Sequence, residues 1–583
     1  MLKGDPLGRV LFVDLTRRKY WIEDRSELFE ENLGGVGVGI RLLEELCPPN
    51  ADPLSPENPI ILAVGPLNGL FPLASKMVAL FKSPLTGNLG ESHCGGRSAV
   101  ALRMAGFGAL VILGASDIPL YLAIHGERVF FRDARALWGM QSTFTVGRLI
   151  REREQGAGLR TIMRIGRAGE NLVRFANVMV ETYRHFGRLG LGAVFGSKKL
   201  KAVLISGRRS LPVSSSKLYR EAYDEIYREA LSPAMRKYHD LGTQENILPL
   251  NRIGALPVCN LKKTSFDAAE IFSGERLAEA FLGRRLACAH CPVGCIHLAA
   301  LKEPYEREPF FYKTTWVSYD YEPSYALGSM LGGGNVEEFL KLMETVEALG
   351  LDAMSCGVVL AWATEAMERG IISPDDTSGV ELRWGDYAAY RKFVFNLVLQ
   401  PNDFYRAAAL GVEELSSRYG GKEFALAFGG NEMPGYHTGP AAHIGHLVGA
   451  RHSHLDGAGY SLDQKMIGSP LPPPEEVAEK LLAEEEWRQV LSSLVVCFFA
   501  RGIYTPERVL KALRAAGFED VDLREIGRRI LRRKNSFKMR EGFSPERLRI
   551  PRRILETPTP LGKLEEDYIR RAVRHFFSRL LEI

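Results

Sequence analysis

"KAVLISGRRSLPVSSSKLYREAYDEIYREAL", residues 201–231, joins two kinds of chain. Residues 201–207 are a short, β-branched apolar run that closes on glycine and has the composition of a strand. From Ser216 to Leu231 the apolar residues recur at helical spacing and charged residues fill the other face, which predicts an amphipathic helix. The change of period near Arg208 marks a domain boundary.

Read outward from there, the N-terminal side repeats the strand character in "GRVLFVDLT", "PIILAVGPL", "KMVALFKS", "ALVILGA" and "LYLAIHG", separated by Gly and Pro turns. The C-terminal side repeats the helical character, as in "NVEEFLKLMETVEALGL" from Asn335. A second break falls in "GGKEFALAFGGNEMPGYHTGPAAH" (420–443), and "SPLPPPEE" precedes a helix expected to open at Glu475. The expectation is an α+β chain: a β-rich domain over 1–207 with a few helices, then two mostly helical domains over 208–425 and 426–583. No internal repeat supports a solenoid.

The 583 residues, 46% hydrophobic, can bury several cores. Eight cysteines are too few and too uneven for a secreted disulfide scaffold, the N-terminus lacks a signal-peptide core, and no apolar run reaches the roughly 18 residues of a membrane span. A cytoplasmic protein is expected. Lys plus Arg exceeds Asp plus Glu by only 75 to 70, and the small basic clusters read as solvated helix faces, so nucleic acid is not an expected partner.

Three of the cysteines crowd into "CAHCPVGCIHL", residues 288–298. Cys288, Cys291 and Cys295 can wrap one inorganic core from a single loop, with Pro292 and Gly294 permitting tight turns. Spacing alone leaves three readings: an iron–sulfur cluster, a zinc site completed by His290 or His297, or packed thiols. Cys47, Cys94, Cys259 and Cys356 read as buried small hydrophobes. Cys497, in "SSLVVCFFA", reads the same way from its apolar context.

Two glycine-dense, basic stretches lie between strand-like runs, "KSPLTGNLGESHCGGRSAVALRMAGFGALVILG" (82–114) and "GRAGENLVRFANVMVETYRHFGRLGLGAVFGSKKLKAV" (166–203). Exposed backbone N–H groups beside guanidinium groups can cradle an anionic cofactor, and tight β turns account for the same glycines. "GGVGVG" at 34–39 lacks the spacing of a dinucleotide loop and is the weaker phosphate signal.

Together with "ADPLSPENPIILAVGPLNG", "GRLGLGAVFGSKKLKA", "CAHCPVGC" and "ALGLDAMSCG", these stretches resemble the aldehyde:ferredoxin oxidoreductase family of tungsten or molybdenum pterin enzymes, in the family's order and over nearly the whole chain. The resemblance implies a β-rich base for the cofactor, two helical domains, a metal held by two pyranopterins with Mg2+ able to link their phosphates, and a [4Fe-4S] cluster. Cys497 matches the family's distant fourth cluster cysteine, joining Cys288, Cys291 and Cys295. Glu322 in "YDYEPSYALGSMLG" and His454 in "GARHSHLDGAGY" match the active-site glutamate and histidine, with His452 a neighbouring choice. Lys76, His93, Gly95, Gly96, Arg184, Gly187 and Arg188 fall on or beside pterin-contacting segments, although Lys76 and His93 are unexpected residue types there.

The chain also departs from the pattern. The family's two D-x-x-G-L-C-like pterin motifs read "EALGLDA" from Glu347 and "SSLVVCF" from Ser492, so the second replaces acid by hydroxyl. Lys341 and Glu344 stand at the E-x-x-H positions of a subunit-bridging iron, and a lysine ammonium cannot ligate it. A homodimer is then expected only without that iron. The expected activity is oxidation of an aldehyde to a carboxylic acid, with electrons passing through the cluster to ferredoxin or a ferredoxin-like subunit. The alternatives are a reductase similar to the tungsten subunit of aromatic acyl-CoA reductases and a noncatalytic electron-transfer subunit.

Overall fold

A computed structural model of the chain describes residues 1–181, 183–305 and 308–582. They form two compact units. The first takes Met1–Arg236, Ala287–Gly294 and Glu485–Phe543, and the second takes Lys237–Leu286, Cys295–Glu484 and Ser544–Ile583. The β-rich beginning and mainly helical remainder agree with the sequence reading.

In the first unit the strands are β1 (Arg9–Asp14), β2 (Lys19–Asp24), β3 (Ile60–Ala63), β4 (Met77–Lys82), β5 (Leu89–Cys94), β6 (Ala109–Leu113), β7 (Leu120–His125), β8 (Arg128–Asp133), β9 (Leu159–Arg164), β10 (Val178–Val180), β11 (Arg184–Phe186) and β12 (Leu200–Gly207). They make two six-stranded sheets, ordered β2-β1-β6-β3-β4-β5 and β11-β10-β9-β12-β7-β8. β1 with β6 and β7 with β12 are the parallel pairs, and the rest are antiparallel. β3, β4 and β12 are buried along their whole length, which explains their unbroken apolar runs.

The "GGVGVG" run is neither a phosphate loop nor a set of turns. It opens a helix, Gly35–Leu46, that lies on β3 and β4. Glycine is needed for close approach: a Cβ on Gly39 would stand 2.5 Å from Leu80, and one on Gly35 would stand 2.2 Å from the Ser492 carbonyl oxygen. Gly65 closes on the same turn, with a Cβ there 2.6 Å from the Ser493 carbonyl oxygen. Gly65→Ala is therefore expected to cost about 1–3 kcal/mol through overpacking against backbone that cannot swing away. Denaturant unfolding measures it, and an unshifted midpoint would show that the 493–494 turn yields.

In the second unit the expected helices are interrupted by a three-stranded antiparallel sheet of β13 (Leu282–Leu286), β14 (Ile296–Tyr305) and β15 (Glu308–Tyr319). The sheet lies inside the mainly helical part of the chain: "FFYKTTWVSY" is a run of aromatic and β-branched residues, which favour extended chain. Elsewhere helices dominate. Val336–Leu349 is capped by the Asn335 side chain and Ala353–Glu368 by that of Asp352. A Cβ on Gly357 would meet the Ala326 carbonyl oxygen at 2.3 Å, so Gly357 lets Ala353–Glu368 seat the short helix Tyr321–Leu327. Among the described residues no helix is long and apolar enough to cross a membrane.

Candidate active site

Within the first unit, residues 73–76 tie together two segments that are remote in sequence. The Leu73 N–H donates to the His290 carbonyl at 3.2 Å, and the Leu73 carbonyl accepts from the Cys497 N–H at 2.9 Å. The Lys76 N–H donates to Val495 at 3.1 Å. On the other side, Ala289 N–H donates to the Gly96 carbonyl at 2.9 Å, and Gly96 N–H donates to the Cys288 sulfur at 3.1 Å. A Cβ on Gly95 would lie 2.8 Å from that sulfur, so a larger residue is excluded.

This arrangement sets Cys288 and Cys497 beside Lys76, with Cys291 neighbouring both sulfurs. Burial pushes the Cys291 thiol up to about 12, and the neighbouring Cys288 and Cys497 sulfurs add to the rise. Burial alone would depress the Lys76 ammonium, but Cys497 and Cys288 outweigh it and hold it above its ordinary range. Cys295 follows Gly294 directly and precedes β14 in the second unit. Among the described residues no three His, Cys, Asp or Glu side chains converge as a site for a single metal ion. His297, one of the two histidines considered for zinc, has Nε2 at 2.8 Å from the His239 carbonyl oxygen.

The unexpected His93 belongs to a buried charged set that sequence reasoning missed. His93 Nε2 lies 2.7 Å from Glu91, whose other oxygen is 2.5 Å from the Lys534 ammonium. On β11, Arg184 reaches within 3.7 Å of the Cβ position of Gly95, and the Arg188 N–H donates to Ser92 at 3.4 Å. A Cβ on Gly187 would meet nothing within 4 Å, so this edge is open. Thiols beside an ammonium have the donor chemistry of an iron–sulfur core, and guanidiniums beside an open glycine edge suit an anionic organic cofactor. Ser492 is buried near the end of the helix Pro474–Ser493, where its carbonyl faces Gly35.

The second unit holds the other candidate residues. Glu322 stands in the first turn of Tyr321–Leu327, where the helix end favours a carboxylate. His454 Nε2 is 3.2 Å from Glu322 Oε1, and the Tyr436 hydroxyl donates to the same oxygen at 2.8 Å. Burial alone would raise the Glu322 carboxyl, but His454 and Tyr436 outweigh it and hold it below the usual range. Tyr436 is stacked on Tyr460 with ring centroids 4.3 Å apart. His454 begins a short helix locked by a Ser453–Asp456 capping box, and Asp456 also takes the Arg451 guanidinium at 2.7 Å.

His452 goes elsewhere. Its backbone is left-handed, with φ of 55°, and Nδ1 is 3.0 Å from the His446 carbonyl oxygen. Tyr436 was missed because "PGYHTGP" reads only as a Gly/Pro break; a tyrosine inside a buried break was the available signal. Glu347 sits in the last turn of Val336–Leu349 and is half-buried. Lys341 pairs with Glu338 at 2.8 Å and Glu303 at 3.3 Å, and Glu344 is half-buried.

Two β sheets followed by helices, with clustered thiols in one unit and a carboxylate–imidazole pair in the other, define a candidate redox protein of the cofactor-base type. Residues 10–207 match the family model for the N-terminal domain of aldehyde ferredoxin oxidoreductase, and residues 217–582 match that for domains 2 and 3. The chain belongs to the aldehyde ferredoxin oxidoreductase family and is an oxidoreductase. It is 31% identical to the tungsten-containing aldehyde ferredoxin oxidoreductase of Pyrococcus abyssi, over 97% of this chain and 94% of that one. It is also 31% identical, over 67% of this chain and 64% of the relative, to the WOR-like subunit of an aliphatic sulfonate oxidoreductase from Pyrococcus furiosus. Among solved structures, the BamBC active-site complex of benzoyl coenzyme A reductase with 1,5-dienoyl-CoA shares the fold, at TM-score 0.85 and 19% identity, over 100% of this chain and 95% of that one.

Proposed function

We propose that this oxidoreductase converts an aldehyde and water to a carboxylic acid, two protons and two electrons, and passes the electrons to ferredoxin or a ferredoxin-like iron–sulfur subunit. The observation that carries the reading is the Glu322–His454–Tyr436 set, a depressed carboxylate with a neighbouring imidazole and a phenol donor. When bound, a tungsten or molybdenum bis-pyranopterin centre supplies the two-electron acceptor and a [4Fe-4S] cluster the one-electron exit. Relatives named as tungsten-containing support tungsten.

Cys288, Cys291, Cys295 and Cys497 would hold the cluster. A four-iron core is wider than one ion, so its thiolates need not converge on a point. Lys76, His93, Gly95, Gly96, Arg184, Gly187 and Arg188 would face the pterins, joined by Glu347 and Ser492 from the two altered motifs. Mg2+ would link the pterin phosphates. Glu322, ionised near neutral pH, takes a proton from water or the hydrated aldehyde. His454 shares and exports that proton, and Tyr436 keeps the carboxylate aimed by donating to it.

Anaerobic purification with tungstate and molybdate supplied, elemental and pterin analysis, and an aldehyde panel with a low-potential dye test the proposal. Tungsten or molybdenum with pterin and aldehyde-dependent dye reduction is the expected result. Metal and pterin without turnover of any aldehyde would move the reading to an acyl-CoA-type reductase, and iron without either would make the chain a noncatalytic electron-transfer subunit.

A further inference from the structure

On the second sheet of the first unit, away in sequence from every residue of the thiol centre, lies a cavity of about 760 Å³. Arginines from three separate segments converge on it: Arg128 and Arg132 on β8, Arg153 at the last turn of the helix Thr143–Arg153, Arg208 and Arg209 just past β12. Two carboxylates share the lining, and both are already engaged. Glu154 accepts from the Tyr121 hydroxyl at 2.7 Å and from Arg132 Nε at 3.0 Å, while Glu127 takes Arg9 at 2.6 Å and Arg209 at 2.5 Å.

Five guanidiniums against two carboxylates leave an excess of three positive charges around one concavity. Among the described residues Arg128, Arg153 and Arg208 form no ion pair. Part of this charge has a structural use, since Arg153 complements the negative end of its helix. Arg128 and Arg208 have no such use. The floor is built rather than incidental: His125 Nδ1 is 2.8 Å from Ser206 Oγ, and His125 Nε2 is 3.3 Å from Glu154. Gly156 covers that pair so closely that a Cβ would stand 2.7 Å from Ser206 Oγ.

We infer that this cavity binds a soluble pyrophosphate ester. The planar guanidinium fork matches phosphate oxygens bidentately, and a group carrying two or three negative charges answers the excess that a monocarboxylate would leave mostly unpaired. The volume falls in the range of about 300–1,000 Å³ typical of small-molecule sites, and the wall is charged where apolar ligands need it greasy. The site lies outside the residues proposed for the redox chemistry, so its occupancy is separable from cofactor content.

The test titrates the anaerobically purified enzyme with ADP, inorganic pyrophosphate and adenosine at low and moderate salt, followed by calorimetry. One ADP or pyrophosphate per chain, weakening as salt rises, with adenosine inert, is the expected result. Arg153→Gln/Arg208→Gln should weaken binding at least about tenfold, since each guanidinium supplies charge-assisted hydrogen bonds, while iron and tungsten contents stay at wild-type levels. Both side chains are exposed, and Arg128→Gln gives a second, independent variant. No saturable binding below millimolar concentration, equal binding by the double and Arg128 variants, or binding of ADP with pyrophosphate inert would each overturn the inference.

Discussion

Cys497→Ser is expected to leave a folded chain that has lost most of its iron and the low-temperature EPR signal of the reduced cluster. The thiol is presented by a backbone that the substitution does not disturb: Cys497 N–H still donates to Leu73, and the residue still caps the turn Phe498–Ala500. What changes is one of the four soft ligands proposed for the cluster, and a serine hydroxyl is a poor replacement for thiolate. Cys94→Ser is the matched control. Cys94 is also buried near Cys288, but its thiol donates to the Gly95 carbonyl at 3.0 Å, and burial pushes it far above the ordinary thiol range. Iron per chain and the EPR spectrum should therefore survive in the Cys94 variant and fail in the Cys497 variant. An unchanged signal in Cys497→Ser would remove that residue from the ligand set.

Glu322→Gln is expected to lower turnover per bound metal by about 100-fold to 10,000-fold, the usual effect of deleting a positioned base, without loss of metal. His454→Asn should fall in the same range, and His452→Asn, whose ring faces the His446 carbonyl, should not. Tyr436→Phe tests the geometry more finely. It removes the 2.8 Å donor to Glu322, and hydrogen bonds to charged groups contribute about 1.5–3 kcal/mol. Losing it raises the carboxyl, so the acidic limb of the rate profile should move to higher pH, with activity falling as pH drops through the new value. A Tyr436→Phe profile that superimposes on wild type would show that the phenol does not set the base. Wild-type turnover in both Glu322→Gln and His454→Asn would remove them from the chemistry.

Much of this protein was legible in its sequence because local period and local spacing are written residue by residue. The strand runs before Gly207 and the helical periods from Ser216 and Asn335 recur as β12, Ser216–Ala230 and Val336–Leu349. The three-cysteine loop and the two glycine-dense basic stretches marked where cofactor chemistry could lie. The β14–β15 hairpin was hidden because its aromatic alternation sits in a long helical context, and the "GGVGVG" helix was hidden because its glycines report on Leu80 and on Ser492, partners no local window contains.

The sites themselves belong to the tertiary structure. Cys497 reads locally as a packed thiol; only the clamp of Leu73 on both the 290 and 497 segments brings it beside Cys288 and Cys291. Nothing in "RHSHLDG" distinguishes two histidines separated by one residue, yet a left-handed backbone at His452 and a cap at Ser453 turn one ring toward a carbonyl and the other toward Glu322. Residue type determines what a side chain can do; which partner it does it with depends on backbone direction and close packing among segments far apart in the chain, and those are settled only when the whole unit folds.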